Sequence, residues 1–125
     1  SVCMDNIQEY AQHIYSTLGA GLSERVYHNA MEVMLRKNNI QYETERIVPI
    51  HFEGHVIGNT RADLIVDGSL VLELKAVKTV TKSMQSQTLN YLRQTGIPKA
   101  VIINFPQPQC EVCEFLPVEV CISPA

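Results

Sequence analysis

Arg61-Ala62-Asp63-Leu64-Ile65-Val66-Asp67-Gly68-Ser69-Leu70-Val71-Leu72-Glu73-Leu74-Lys75 is two short apolar runs either side of Asp67-Gly68. Apolar runs of this length around a D-G pair read as a β-hairpin. Asp63, Glu73 and Lys75 stand in strands that otherwise want burial, and charge left there is costly unless it is paired or holds a metal. Carboxylates on adjacent strands beside an ammonium are the ingredients of a Mg²⁺ site that cleaves phosphodiesters. The competing reading is a buried ion pair of Glu73 with Lys75 or Arg61.

The parity of the loop decides whether the acids meet. Glu73 and Lys75 are two apart and share a strand face. A two-residue loop at Asp67-Gly68 would pair Asp63 with Leu72 and send Glu73 to the other face. A three-residue loop, Val66-Asp67-Gly68 or Asp67-Gly68-Ser69, keeps Asp63 and Glu73 together, with Gly68 at positive φ. The expectation is the odd loop. One face is then Asp63, Ile65, Val71, Glu73 and Lys75. The other is Ala62, Leu64, Val66, Leu70, Leu72, Leu74 and Ala76, wholly apolar and therefore core.

Outward from the hairpin, Tyr42 to Phe52 reads as a strand, and Glu53-Gly54 turns it into a short strand at His55 to Ile57. Asp5 to Leu18 has helical spacing through Ile7, Tyr10, Ala11, Ile14 and Leu18. Gly19-Ala20-Gly21 breaks it. Ser23 to Lys37 is a second helix with Val26, Ala30, Met34 and Leu35 as core candidates, stopped at Asn38-Asn39. Thr81 caps a helix that runs to Thr95 and stops at Gly96. Lys99 to Phe105 is a buried strand, ended by Pro106 and Pro108. Glu111 to Phe115 and Glu119 to Ile122 are expected as tail strands. The core order is helix, three strands, helix, strand. The Thr81 helix serves as a crossover laying the last strand beside the hairpin. The fold class is α/β (α+β), a mixed sheet flanked by helices.

The chain has 125 residues, 46% hydrophobic and 18% charged, which fits one domain over 1–125. No apolar run approaches a membrane span and no signal-like region opens the sequence, so the expectation is an intracellular protein without membrane contact. A net charge of -3 argues against a generic nucleic-acid coat. The charge is uneven, however. From Arg61 to Lys99 the basic residues Arg61, Lys75, Lys78, Lys82, Arg93 and Lys99 outnumber Asp63, Asp67 and Glu73. A local surplus of this kind can meet a phosphate backbone while the remaining surface stays acidic. Among the cysteines, Cys110-x-x-Cys113 is half of a zinc ligand set that Cys121 and Cys3 would complete. Cys113 and Cys121 lie in alternating apolar segments, which favours small buried hydrophobes instead.

Gly21-x-x-Glu24-x-x-Tyr27 opens the second helix, with Glu24, Tyr27 and His28 on one face. Glu24 in a first turn is also what a helix dipole favours. Gln87 and Tyr91 are four apart on the Thr81 helix. With Arg61-Ala62-Asp63, Glu73-Leu74-Lys75 and Ile102-Ile103-Asn104-Phe105, these form an ordered set. The chain resembles the small GxxExxY proteins of the PD-(D/E)xK nuclease-like superfamily over about Ile7 to Phe105. Residues 106–125 form a tail outside the recognised core. The proline of the superfamily's name is replaced by Ala62.

The resemblance implies a restriction-endonuclease-like core and a Mg²⁺ (or Mn²⁺) dependent nuclease. Asp63 and Glu73 would ligate the metal with the Leu74 carbonyl. Lys75 would orient water or offset transition-state charge, and Glu24 would hold a metal-bound water or a second ion. Gln87 would position Lys75. Tyr27, Arg61, Lys78, Lys82 and Tyr91 are the expected substrate contacts. The implied partner is nucleic acid, DNA ahead of RNA. The alternatives are a non-catalytic nucleic-acid-binding or protein-interaction module on the same fold, and a structural domain with internal ion pairs. A homodimer is a further expectation, through the tail at Val112, Phe115, Val118 and Val120 or the first helix at Ile7, Tyr10 and Ile14. Against it stands a tail that folds back to cover its own sheet edge.

Overall fold

The computed structural model describes residues 4–108 and 112–120. In chain order the elements are α1 (Met4–Leu18), α2 (Glu24–Lys37), β1 (Tyr42–Phe52), β2 (His55–Val66), β3 (Leu70–Lys75), α3 (Lys82–Thr95), β4 (Lys99–Asn104) and β5 (Glu114–Glu119). The strands form one mixed sheet in the order β1-β2-β3-β4-β5. Among the described strands only β3 and β4 are parallel, with α3 as the crossover between them.

Local chemistry sets the helix limits. The Ser23 hydroxyl accepts from Val26 N–H and opens α2, and Thr81 does the same for Met84 at the start of α3. Gly96 at φ 76 ends α3 by donating its N–H to the Leu92 carbonyl, the left-handed cap that glycine adopts without strain. Ile7, Ala11 and Ile14 of α1 are buried at helical spacing.

The sheet is covered on both faces. On one, α1 and α2 pack Ile7, Ile14, Tyr27, Met31 and Leu35 over Leu64, Leu72, Leu74, Ile103 and Phe105. On the other, Tyr91 and Leu92 of α3 pack with Ala62, Ile65, Val71, Ile97 and Ala100. The face of Leu64, Val66, Leu70, Leu72 and Leu74 is core, as the alternation predicts. Ala62 departs from it and packs on the α3 side. Its neighbour Asp63 lies, by register, opposite Glu45 of β1, which sits at φ 52 between the paired residues Thr44 and Arg46. A residue at positive φ interrupts the regular pleat there.

Several boundaries differ from the sequence reading. The stretch at Gly58-Asn59-Thr60 does not break the chain, and β2 runs unbroken because those residues pair with Ile50, Pro49 and Val48 of β1. Pairing across strands overrides weak local propensity. In α2 the buried residues are Tyr27, His28, Met31 and Leu35, while Val26 is 41% exposed. The helix is rotated by one residue, because the Tyr27 ring stacks on Phe105 at 4.2 Å and 5°. Among the described residues the tail holds one strand, β5, antiparallel to β4, and Glu111, Cys121 and Ile122 of the two expected tail strands lie outside the described residues. The tail thus covers β4 within its own chain. Ile7 and Ile14, expected at a dimer interface, are in the core.

Cys113 is free and buried, and burial pushes its thiol up to about 11, so it behaves as a small hydrophobe. Cys3, Cys110 and Cys121 lie outside the described residues. Among the described residues no helix is long and apolar enough to cross a membrane.

Candidate active site

The Asp67-Gly68 turn fixes the site. Both residues are at positive φ, 52 and 65, and Ser69 N–H donates to the Val66 carbonyl at 3.0 Å. That is the closure of a type I′ turn. The strands nevertheless pair Val66 with Leu70, Ile65 with Val71 and Leu64 with Leu72. Ser69 is therefore an extra residue, and the loop is the odd one, Asp67-Gly68-Ser69. The register carries Asp63 opposite Glu73.

Both acids are nearly buried, at 9% and 7% exposure. Asp63 Oδ2 accepts from Leu74 N–H at 2.9 Å, and Glu73 Oε1 accepts from Asp63 N–H at 3.4 Å. Burial, and then the Asp63 charge and hydrogen bond, push the Glu73 carboxyl up to about 9, with Lys75 pulling the other way. Two carboxylates in one dry corner repel.

Glu24 reaches the same place from the first turn of α2. The loop before it is held by Tyr27, whose hydroxyl donates to the Gly19 carbonyl at 2.7 Å and accepts from Leu22 N–H at 3.2 Å. Gly21 sits at φ 90, and a Cβ there would meet Pro108 Cγ at 3.2 Å. The Gly21 and Tyr27 positions are thus structural, and they aim Glu24. Partial burial raises the Glu24 carboxyl, Asp63 adds to that, and Lys75 and Arg61 oppose it. Glu24, Arg61, Asp63, Glu73, Lys75 and Gln87 all line one cavity of about 460 Å³.

The other expected contacts are elsewhere. Tyr27 and Tyr91 are fully buried and are not offered to a ligand, which corrects the expectation of substrate contact. Tyr91 lies in the α3-side core with its hydroxyl toward the Arg46 carbonyl at 3.5 Å. The resemblance implies both tyrosines as site residues; here the rings are packing and the hydroxyls bind backbone. Lys78 and Lys82 are exposed and stand outside the cavity lining. The Leu74 side chain is core, which leaves only its backbone for the site.

Sequence reasoning missed Asn59 and Thr60 of β2 and Thr88 and Asn90 of α3, which also line the cavity. No sequence spacing joins two such distant segments. It also missed the work of Asn104, which is 1% exposed. Its side-chain oxygen accepts from Val77 N–H at 2.9 Å, and its amide donates to the Val77 carbonyl at 2.8 Å. The chain leaving Lys75 is further held by Phe105 N–H to the Lys75 carbonyl at 2.9 Å and by Gln107 on the Ala76 carbonyl. The available signal was a lone amide inside an apolar strand.

Among the described residues no three His, Cys, Asp or Glu side chains gather into a ready cage. The donor set is a buried pair of acids. It suits a hard ion such as Mg²⁺, which takes one or two carboxylates and completes its shell with water and phosphate oxygens.

The family model described as the PD-(D/E)XK nuclease superfamily matches residues 1–114. This chain belongs to that superfamily. The five-stranded mixed sheet with helices on both faces is consistent with the restriction-endonuclease-like fold of PD-(D/E)XK proteins. The fold is also similar to the crystal structure of SSO0001, at TM-score 0.56 and 22% identity over 78% of this chain. The chain spans half the length of that protein, with 50% covered. No curated protein matches.

Proposed function

We propose that this PD-(D/E)XK domain is a divalent-metal-dependent phosphodiesterase acting on nucleic acid, of the GxxExxY branch. The observation that carries the reading is the direct apposition of Asp63 and Glu73, at the wall of a cavity that Glu24, Lys75 and Gln87 share. A charge-poor structural domain gains nothing from burying two acids side by side.

Asp63 and Glu73 would hold Mg²⁺ or Mn²⁺, with the Leu74 carbonyl as a further oxygen. Such an ion supplies Lewis acidity to a phosphate and lowers the pKa of a neighbouring water. The chain's own groups supply the rest. Lys75, half-buried two residues after Glu73, orients the attacking water and offsets charge that grows on the phosphoryl oxygens in the transition state. Gln87, across the cavity on α3, positions the lysine ammonium. Glu24 orders a water on the far wall. Arg61 binds the phosphate before or after the scissile one. Lys78 and Lys82, exposed on the loop and first turn beyond Lys75, draw the backbone in through their field. Asn104 holds Val77 and with it the end of β3.

Incubation of labelled single-stranded, duplex and branched DNA and RNA with Mg²⁺, Mn²⁺ or EDTA tests this. The expected result is cleavage of at least one substrate with either metal and none with EDTA. Tight binding with no metal-dependent cleavage of any substrate would replace the reading with a binding module.

A further inference from the structure

The β1–β2 ribbon outgrows the sheet. β3 pairs with β2 at Leu64–Val66, whereas β1 and β2 remain paired out to Phe52 and His55. From Ile47 outward the ribbon has no β3 beside it, and beyond Val48, which still packs on the α3-side core, it is an arm. On this stretch Ile47, Phe52, Val56 and Ile57 are 62%, 63%, 61% and 64% exposed. So many large apolar side chains on one projecting element mark a contact surface.

The arm begins as the wall of the candidate active site. Ile50, Asn59, Thr60 and Arg61 line the same cavity as Asp63 and Glu73. The arm therefore flanks the acids on the β1–β2 side of the cavity. The register also shapes the tip. Ile50 pairs with Gly58 and His51 with Val56, so Ile57 has no β1 partner. A bulge of this kind re-aims side chains beside active sites. Phe52 pairs with His55 and Val56 with His51, so Phe52 and Val56 point to opposite faces.

Composition selects the occupant. Proteins grip intact duplex mainly through phosphates, using Lys and Arg. Between Ile47 and Thr60 the arm has neither, and Glu53 is its only Asp or Glu. Apolar and aromatic side chains gain instead from the faces of bases, which are open only where bases are unpaired or unstacked. An arm that is apolar on both faces suits insertion between bases. A flat docking surface would need only one such face.

We propose that the β1–β2 arm is a base-contacting wedge, and that the substrate of the adjacent site is nucleic acid with unpaired bases next to the scissile phosphate. Phe52, Val56 and Ile57 hold those bases. The proposal rests on the phosphodiesterase reading for its substrate class, while its test reads binding and needs no cleavage.

The probes are a single strand, a splayed duplex and a blunt duplex of DNA carrying 2-aminopurine, and a single-stranded RNA of the same sequence. They are titrated in Mg²⁺ with wild type and with the double variant Phe52→Ser/Val56→Ser, whose positions are exposed and leave the core intact. Wild type is expected to bind single-stranded or splayed probes at least roughly ten-fold tighter than the blunt duplex, with a change in 2-aminopurine fluorescence. The double variant is expected to lose that preference by weakening unpaired probes while leaving duplex affinity unchanged. Equal affinity for blunt duplex, an unaffected variant, or no binding to any probe overturns the wedge. So does light scattering in which the substitutions turn a dimer into a monomer, because the arm is then a contact between copies. Cleavage is scored on the same samples. Its absence alongside retained base preference overturns the catalytic reading and upholds the wedge.

Discussion

Asn104 clamps Val77 by both backbone groups, at 2.9 Å on the N–H and 2.8 Å on the carbonyl. A side-chain amide thereby stands in for a sheet partner at the point where β3 ends, two residues past Lys75. Asn104→Ala leaves both Val77 groups without these bonds, at about 1–3 kcal/mol for each group that becomes buried and unsatisfied. Urea unfolding is expected to show the lower stability. Cleavage by the folded variant is expected to fall as well, because the chain leaving Lys75 loses its clamp at Val77.

The acid pair makes stability depend on pH. In the metal-free protein Glu73 is raised from 4.5 to about 9. A group raised in the folded state contributes stability that is fully present below its unfolded value and is lost as pH climbs to the folded one. The metal-free protein should therefore lose stability as pH rises from about 4.5 towards about 9 on account of this group. Glu73→Gln removes the titration and should flatten that part of the profile. Denaturant midpoints in EDTA across this range, compared between the two proteins, check the sign.

Addition of a divalent cation should reverse the trend. The ion satisfies both acids, so Mn²⁺ is expected to stabilise wild type most at the alkaline end. Asp63→Asn and Glu73→Gln should each weaken Mn²⁺ binding at least roughly ten-fold, since even outer hydrogen-bond partners of a metal ligand are worth about 10–100-fold. Both variants should fold, because each relieves the repulsion. Calorimetric titration giving wild-type Mn²⁺ affinity in both would remove the metal site.

Tyr27 is a clamp on the loop that presents Glu24. Tyr27→Phe keeps the stack on Phe105 and loses the bonds to Gly19 and Leu22, at about 0.5–1.5 kcal/mol each. A lower melting temperature and faster hydrogen exchange at the Leu22 amide are expected. Unchanged exchange would show that the hydroxyl does not hold this loop.

The parts legible in the sequence are those set by local chemistry or by charge that must be accommodated. The Thr81 and Gly96 caps bound α3 where the sequence places them. An odd loop follows from the need to bring Asp63 and Glu73 together, but the sequence leaves Val66-Asp67-Gly68 and Asp67-Gly68-Ser69 both open, and the strand register selects the second. The parts that were not legible depend on distant partners. β2 continues through Gly58-Asn59-Thr60 only because β1 lies beside it. Tyr27 turns inward because Phe105, far along the chain, offers a ring to stack on. Thr88 and Asn90 join Asn59 and Thr60 at one cavity because α3 crosses that end of the sheet, and no motif records that crossing.

Single-turnover cleavage by Lys75→Ala, beside wild type and with affinity measured on the same substrate, tests the central claim most directly. The account predicts nucleic-acid affinity within a few-fold and a cleavage rate lower by about 10²–10³-fold, because the ammonium acts on charge that develops in the transition state. Equal metal-dependent cleavage by wild type and Lys75→Ala would contradict it.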